Sequence, residues 1–214
     1  MTKKLICLAP AICCLVTGAL SANAGVVAMG SANEATISNF PYERGEWEAQ
    51  LLAGALWDLD FYDNQPRFDY ALQSLRLGYI VTPLSGGGLF RGDLELLLEA
   101  VGGEFFEGPA SYLVGGTLLV RWNFVQGVNP KWVPYIQIGG GGLYHDANTN
   151  VQDVLGSNVE AMTVDGLGLR YHVNKKWTII AEVTYRHISN AGTTERNRGL
   201  NSLGGQLGVS YFFH

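Results

Sequence analysis

Hydrophobic and polar residues alternate with period two along most of the chain, which is the pattern of half-buried β-strands. In the segment 70–82 the two kinds of residue take opposite faces, with Leu75, Leu77, Tyr79 and Val81 against Ser74, Arg76 and Gly78. Segments of this kind predict eight strands, at 47–59, 70–82, 91–101, 112–125, 132–144, 161–173 and in a final hairpin from Trp177 to Phe213. The sixth segment changes its alternation in its first half, which predicts a β-bulge near Gly166.

The final hairpin carries polar residues at positions where its alternation predicts a hydrophobic face. The parity of its first arm is set by Ile179, Ala181, Val183 and Tyr185. His187 and Ser189 continue that parity beyond Tyr185. In the second arm, Asn201 has the parity of Leu203, Leu207, Val209, Tyr211 and Phe213. The sequence therefore predicts that His187, Ser189 and Asn201 gather at the loop end of a hydrophobic hairpin face.

Charged residues of both signs recur on the polar face of these segments, at Arg76, Glu95, Glu99, Arg121, Arg170, Glu182 and Arg186. In a soluble β-sandwich such residues face water, whereas in a small barrel they can neutralise one another in the interior. The hydrophobic face is rich in leucine and has aromatic residues near the strand ends, as expected of the girdles at the two lipid interfaces. We therefore predict an all-β fold, an eight-stranded antiparallel transmembrane β-barrel, in preference to a sandwich.

The N-terminus has the features of an export signal. Two lysines precede an apolar run from Leu5 to Leu20, and a cleavage sequence of the A-x-A type ends at Ala24. We predict a removed signal peptide at 1–24 and an outer-membrane barrel domain at 25–214. All three cysteines lie inside the predicted signal, so no disulfide or thiol chemistry is expected in the mature chain. The net charge of -5 and the lack of a basic cluster argue against nucleic acid as a partner.

The predicted connections between strands differ in length. Those around 58–67, 102–109, 146–160 and 190–200 are longer, and they alternate with shorter ones at 83–88, 126–131 and 174–176. Outer-membrane barrels carry their longer loops on the extracellular side. We therefore expect His187 and Ser189 near the extracellular end of the seventh strand, where they face lipid of the outer leaflet.

His187 and Ser189 have the residue types of a nucleophile and its base. Side chains at positions i and i+2 of a strand project from the same face, about 6.5–7 Å apart along the strand. A neutral imidazole can take the proton of a serine hydroxyl and return it to a leaving group. Asn201 is placed by parity to hold the imidazole, and Asn190 with the turn that follows could supply an oxyanion hole.

The string His187-Ile-Ser189-Asn190-Ala191-Gly192, followed by Asn197-x-Gly199 and a closing strand 207–213, resembles the PagL-type lipid A 3-O-deacylases. The string is specific, and the resemblance covers the final strand pair strongly, whereas the remaining mature chain matches only in pattern. The resemblance implies an eight-stranded outer-membrane barrel with a Ser-His-Glu triad on its lipid-facing surface. It implies that His187 is the base and Ser189 the nucleophile, with Asn190 and Gly192 beside the oxyanion.

The third member of the triad departs from the pattern of this family. Asn201 stands where the best-known members carry the acidic residue. Asparagine can hold a histidine tautomer, but it cannot stabilise an imidazolium by charge. Glu195, in the loop between the last two strands, is the alternative acid.

The resemblance and the hairpin together predict an outer-membrane esterase that removes the ester-linked 3-position acyl chain of lipid A, in lipopolysaccharide, without a cofactor. His145, His172 and His214 are scattered and lack metal-ligand spacing, so no metal site is predicted. The alternative is a non-catalytic small barrel with a structural or surface-interaction role. A polar cluster on the lipid-facing surface separates the two, because a purely structural barrel has no reason to keep it.

Overall fold

Eight antiparallel strands close into a barrel, in which each strand pairs with its neighbours in sequence and β1 pairs with β8. Within the described part of the chain the strands are β1 Trp47–Asp58, β2 Asp69–Ile80, β3 Gly92–Glu107, β4 Tyr112–Phe124, β5 Trp132–His145, β6 Val159–His172, β7 Trp177–Ser189 and β8 Leu200–Phe213. The computed structural model describes residues 42–59, 61, 66–127, 130–147 and 150–213, so the predicted signal peptide lies outside it. The predicted fold class is confirmed.

The barrel has two ends that differ in their connections. The upper end carries the connections 59–68, 108–111, 146–158 and 190–199, and the lower end carries 81–91, 125–131 and 173–176. The expected alternation of long and short connections is wrong at β3. That strand continues to Glu107, and the connection 81–91 is longer than expected and contains a 3₁₀ turn, Gly88–Phe90.

Buried ion pairs fill much of the barrel interior. Arg76 donates two hydrogen bonds to Glu182, at 2.8 and 2.9 Å, and a third to Glu99 at 2.8 Å. Arg186 donates to the same Glu99 carboxylate at 3.0 Å. The charged residues expected to face inward are all buried, namely Arg76, Glu95, Glu99, Arg121, Arg170, Glu182 and Arg186. Opposite charges therefore neutralise one another inside the barrel, as the sequence predicts.

Glu182 is the centre of this network, since Tyr135 and Gln137 also donate to it at 2.7 and 3.0 Å. We expect Glu182→Gln to lower the free energy of unfolding by about 3 kcal/mol, because it leaves the buried Arg76 with one carboxylate partner instead of two. Urea unfolding in lipid vesicles measures the change. Glu104→Gln, at an exposed carboxylate of β3, is the matched control. Equal unfolding midpoints for the two variants would contradict this account.

Above the ion pairs, the upper interior is filled by apolar side chains that include Leu56, Phe68, Leu97, Leu119, Met162, Val164, Ile188 and Leu200. Two of these residues, Met162 and Val164, belong to β6 and point inward, while Thr163 between them faces outward. β6 pairs with β5 and β7 in continuous register through Gly166. The predicted β-bulge near Gly166 is therefore wrong. An apolar interior at this level explains the hydrophobic residues on the inward face of β6.

The outer wall is apolar, with exposed residues such as Leu51, Leu75, Leu98, Leu118, Ile136, Leu167, Val183 and Leu207. Aromatic pairs lie at its lower margin, namely Trp47 with Tyr79, Trp132 with Tyr171 and Trp177 with Tyr211. Tyr112 and Tyr144 form a further pair at the upper margin. An apolar band between two aromatic margins is the surface of a barrel that crosses a membrane. The described residues contain no helix with the length and hydrophobicity to span a membrane.

Candidate active site

The polar residues of the last hairpin lie at the upper end of the outer wall. β7 exposes Ile179, Ala181 and Val183 to the outside and, further up, Tyr185, His187 and Ser189. His187 and Ser189 are half-buried, and Ser189 is the last residue of the strand. The period of two thus places both side chains on the face that continues the lipid-facing wall.

His187 and Asn201 are direct cross-strand partners in the β7–β8 pair. The ring nitrogen Nδ1 of His187 lies 2.8 Å from Oδ1 of Asn201. Tyr185, two residues below His187, donates its hydroxyl hydrogen to the same oxygen at 2.6 Å. An amide oxygen only accepts hydrogen bonds. Nδ1 therefore carries the hydrogen, and the lone pair of Nε2 is left to accept a proton from a hydroxyl group.

The connection 190–199 is folded around Asn190, whose side chain is buried. Its Nδ2 donates to the backbone oxygen of Arg196 at 2.7 Å and to Thr194 Oγ1 at 2.6 Å. Its Oδ1 accepts the N–H of Gly192 at 2.9 Å. The oxyanion role expected for Asn190 and Gly192 stays a prediction, because these groups serve hydrogen bonds within the connection here. The adjoining Ala191 adopts a left-handed backbone conformation with φ of 55°.

Gly199 closes this connection directly against the imidazole of His187. A Cβ atom at Gly199 would lie 2.7 Å from Cε1 of His187, which is closer than carbon atoms pack. The backbone φ of Gly199 is +78°, a conformation that favours glycine. Its N–H donates to the backbone oxygen of Val154 at 2.9 Å, which fixes the glycine in place. The absence of a side chain at Gly199 thus leaves room for the ring.

We expect Gly199→Ala to reduce ester hydrolysis by about 100-fold, because the new methyl group displaces the imidazole and misplacement near 1 Å has effects of this size. Gly127→Ala is the matched control, since Gly127 has a similar φ of +76° and open space around its Cβ position. Initial rates in detergent micelles decide the comparison. Equal activity of the two variants would mean that the ring position does not depend on Gly199.

The other candidate residues lie apart from this contact. Glu195 is exposed in the connection 190–199, whereas Asn201 contacts His187. His145 and His172 are buried at opposite ends of the barrel, and His172 Nε2 lies 2.8 Å from the hydroxyl of Tyr42. No group of three potential metal ligands occurs among the described residues, and His214 is outside them.

Sequence reasoning missed Tyr185 and Gly199 as parts of the site. Tyr185 has the parity of the hydrophobic face, so the alternation assigns it to the lipid-facing surface and gives no sign of its hydroxyl contact. Gly199 belongs to the Asn197-x-Gly199 pattern that contributes to the family resemblance, but the pattern alone does not show what the glycine touches. Both depend on side-chain positions that strand periodicity does not encode.

Comparison with known proteins places this barrel in a family. The model of the family described as lipid A 3-O-deacylase (PagL) matches residues 53–210. The crystal structure of the outer membrane enzyme PagL is 19% identical, covers 78% of this chain and 99% of its own, and superposes with a TM-score of 0.50. Neisserial surface protein A (NspA) is 14% identical, with coverages of 78% and 96% and a TM-score of 0.52. OprG from Pseudomonas aeruginosa is also 14% identical, with coverages of 82% and 99% and a TM-score of 0.48.

No curated protein matches the chain. The solved structures show the fold alone, since their sequence identities are low. The apolar wall, the filled interior and the fold shared with PagL and NspA define an outer-membrane β-barrel whose strands cross the membrane. The matched range runs from β1 to β8 and includes His187, Ser189 and Asn201. The chain belongs to the lipid A 3-O-deacylase (PagL) family.

Proposed function

We propose that this protein hydrolyses the ester-linked 3-position acyl chain of lipid A in the outer leaflet, with Ser189 as nucleophile and His187 as base. The observation that carries the proposal is the 2.8 Å contact between His187 Nδ1 and Asn201 Oδ1 on the lipid-facing wall, two positions from Ser189. Because this contact places the hydrogen of the neutral imidazole on Nδ1, the lone pair of Nε2 can accept a proton. The family match supplies the substrate class.

The reaction proceeds in two halves. Ser189 Oγ attacks the ester carbonyl carbon as Nε2 of His187 takes the hydroxyl proton, and the tetrahedral intermediate collapses when His187 returns that proton to the departing sugar oxygen. Water then attacks the acyl-serine, with His187 again accepting and returning a proton. The products are a free fatty acid and lipid A with one chain fewer. Asn201 orients the imidazole throughout, and the steps require no cofactor.

The wall beside Ser189 is open to a lipid chain. Ala161 of β6 is the cross-strand partner of Ser189, and Gly142 of β5 is the partner of Ala161. These residues offer almost no side chain to block a substrate that approaches within the membrane plane. Of the four longest connections, 59–68, 146–158 and 190–199 lie at this upper end and 81–91 lies at the lower end. Outer-membrane barrels carry their longer loops outside, which supports an outer-leaflet position for the site.

A direct test is fatty acid release from lipid A by the purified protein in detergent micelles. The proposal predicts release of one ester-linked chain per lipid, identified by mass spectrometry of both products. Amide-linked chains should stay attached, because the attack described here is directed at an ester. A folded protein that releases no fatty acid would instead support the alternative, a non-catalytic barrel.

A further inference from the structure

A shallow trough crosses the outer wall and begins at the proposed nucleophile, Ser189. In the row of cross-strand pairs that contains Ser189, the next four strands each contribute an outward-facing residue with little or no side chain, namely Ala161, Gly142, Gly116 and Ala100. The row then meets Leu75 of β2, whose side chain is exposed. The rows above and below carry larger exposed side chains, at Val159, Tyr144, Val114, Leu118 and Leu98. These side chains form the rims of the trough, and Leu75 closes its far end.

Packing within the barrel explains only half of the glycine run 139–142 in β5. Gly139 and Gly141 have inward parity, and a Cβ atom at either would overlap a backbone oxygen of β4. Gly140 and Gly142 face outward, and a Cβ atom there would meet its nearest neighbours at 3.4 and 3.5 Å, which is ordinary contact. Glycine weakens a strand and often marks a place where a ligand approaches closely. The two outward glycines therefore indicate a ligand outside the barrel, with Gly142 in the trough and Gly140 in the row below it.

The register of the barrel makes this trough descend into the membrane. A row of cross-strand pairs that starts at Trp47, at the lower end of β1, passes through β2 to β8 and returns to β1 at Trp57, near its upper end. Rows therefore rise from β1 toward β8 and fall in the opposite direction. The trough starts at the upper end of β7 and runs through β6, β5 and β4 to β3. It thus leads from Ser189 down toward the middle of the membrane.

The dimensions of the trough match those of one acyl chain. Neighbouring strands lie about 4.8 Å apart, so the four steps from β7 to β3 span about 19 Å. With single bonds of about 1.5 Å, each carbon of an extended saturated chain advances about 1.25 Å. The trough therefore holds roughly 15 carbons. Because the strands of such barrels tilt by about 40°, this path descends about 12 Å, roughly half of an apolar band about 25 Å tall.

The candidate active site, independently of the small residues, indicates which ligand the trough receives. Ser189 lies at its upper end, and His187, held by Asn201, faces outward in the row below. An ester whose carbonyl carbon is at Ser189 must extend its acyl chain along the wall. We propose that the trough binds the acyl chain that Ser189 releases, and that Leu75 limits the length of that chain. This inference rests on the proposed function and adds the residues that select the substrate by its chain length.

A second depression in the outer wall is the alternative place for this chain. It has a volume of about 400 Å³, lies between β6, β7 and β8, and is lined by Leu167, Leu169, Ala181, Val183, Gly205 and Leu207. Val183 is six residues below Ser189 on β7, and the cross-strand pair of Tyr185 and Leu203 lies between them. A chain from Ser189 would have to cross these two side chains to reach the depression, whereas the trough begins beside Ser189. The trough is therefore the more direct path.

Gly142→Leu fills the trough two strands away from Ser189, and the new side chain projects into lipid like the other leucines of the wall. We expect kcat/KM for esters of roughly 15 carbons to fall roughly 10- to 100-fold, the effect of small changes of fit in a hydrophobic site. A chain of about four carbons reaches only about 5 Å and ends before β5, so its hydrolysis should be unchanged. Gly205→Leu is the matched control, since it fills the second depression and its Cβ atom would have open contact at 3.7 Å. It should hydrolyse both esters normally.

The closed end of the trough gives a second test, in which activity is redirected rather than lost. Leu75→Ala opens one further strand step of about 4.8 Å, so the preferred chain should grow by roughly four carbons. Ala100→Leu closes the trough one step earlier and should shorten the preferred chain by about the same amount. Competition among acyl esters of graded length in detergent micelles measures both shifts. An unchanged order of preference in the two variants would overturn the proposal.

Photolabelling provides a readout independent of hydrolysis. A saturated fatty acid of roughly 15 carbons, with a photoreactive group at its methyl end, should label the protein near Ala100 and Leu75, and Gly142→Leu should reduce that labelling. If no ester is hydrolysed but this labelling occurs, the proposed function fails while the chain site stands. If esters are hydrolysed and Gly142→Leu keeps the same chain preference, the trough is wrong and the function stands. Loss of long-chain activity in Gly205→Leu alone, or labelling at the second depression, would place the chain there and overturn the proposal.

Discussion

Replacement of Ser189 by alanine should leave a folded barrel that no longer releases fatty acid from lipid A. The hydroxyl is the proposed nucleophile, so no acyl-serine forms without it. We expect little loss of stability, because Ser189 is a half-buried residue at the strand end and contributes no contact to the ion pairs of the interior. His187→Ala should lose about as much activity, since nucleophile and base act as a unit.

The measurement is fatty acid release by folded protein in micelles, with folding checked by the shift in gel migration on heating. Ser85→Ala is the control, because it removes an exposed hydroxyl from the lower-end connection 81–91, far from the site. Ser85→Ala should retain full activity. A Ser189→Ala protein that still removes the chain would show that another group attacks the ester.

Replacement of Asn201 by alanine should reduce turnover by up to about 10⁴-fold, the cost of losing the tautomer-holding partner in serine proteases. The physical reason is the 2.8 Å contact to His187 Nδ1, without which the ring can rotate or place its proton on Nε2. Asn201→Glu should keep or raise activity, since it can accept the same hydrogen and adds a negative charge. Single-turnover rates with lipid A measure both variants.

Glu195→Gln is the contrasting variant, and we expect it to be nearly silent. Glu195 is exposed on the connection, whereas Asn201 is held on a strand directly opposite His187. A strand position fixes a side chain more rigidly than a loop does. A silent Asn201→Ala together with a damaging Glu195→Gln would reverse this assignment.

Strand periodicity predicts the faces of this barrel well, because a period of two directly encodes which side chains point inward. The burial of Arg76, Glu99 and Glu182 follows from their shared parity once the sheet closes into a barrel. The same rule places His187 and Asn201 on one face of the hairpin, and the structure brings them into contact.

The upper part of β3 shows where local sequence misleads. Gly102 and Gly103 suggest a turn, yet they pair with Gln73 and Leu72 of β2 and with Val114 and Leu113 of β4. Pairing on both sides carries the strand through two residues that locally favour a turn. Met162 and Val164 point inward although they are hydrophobic, because the upper interior is apolar rather than charged. The change of alternation that they cause in the sequence therefore predicts a β-bulge that β6 does not have.

The environment of His187 depends on how two connections pack, which no strand pattern reports. Gly199 lies against the ring because its N–H is bonded to the backbone oxygen of Val154, in the connection between β5 and β6. Asn190 likewise looks like a ligand-binding amide in the sequence but organises its own loop. The sequence therefore identifies His187 and Asn201, whose positions follow from strand parity, and does not show the contacts that the connections make.

Mass spectrometry of lipid A from cells that produce this protein, its Ser189→Ala variant or neither tests the central claim most directly. The account predicts that lipid A loses the mass of its 3-position ester-linked chain in the presence of the unsubstituted protein alone. Cells with Ser189→Ala should match cells without the protein, at equal amounts of folded barrel in the outer membrane. Unchanged lipid A in all three, or the same loss with Ser189→Ala, would contradict it.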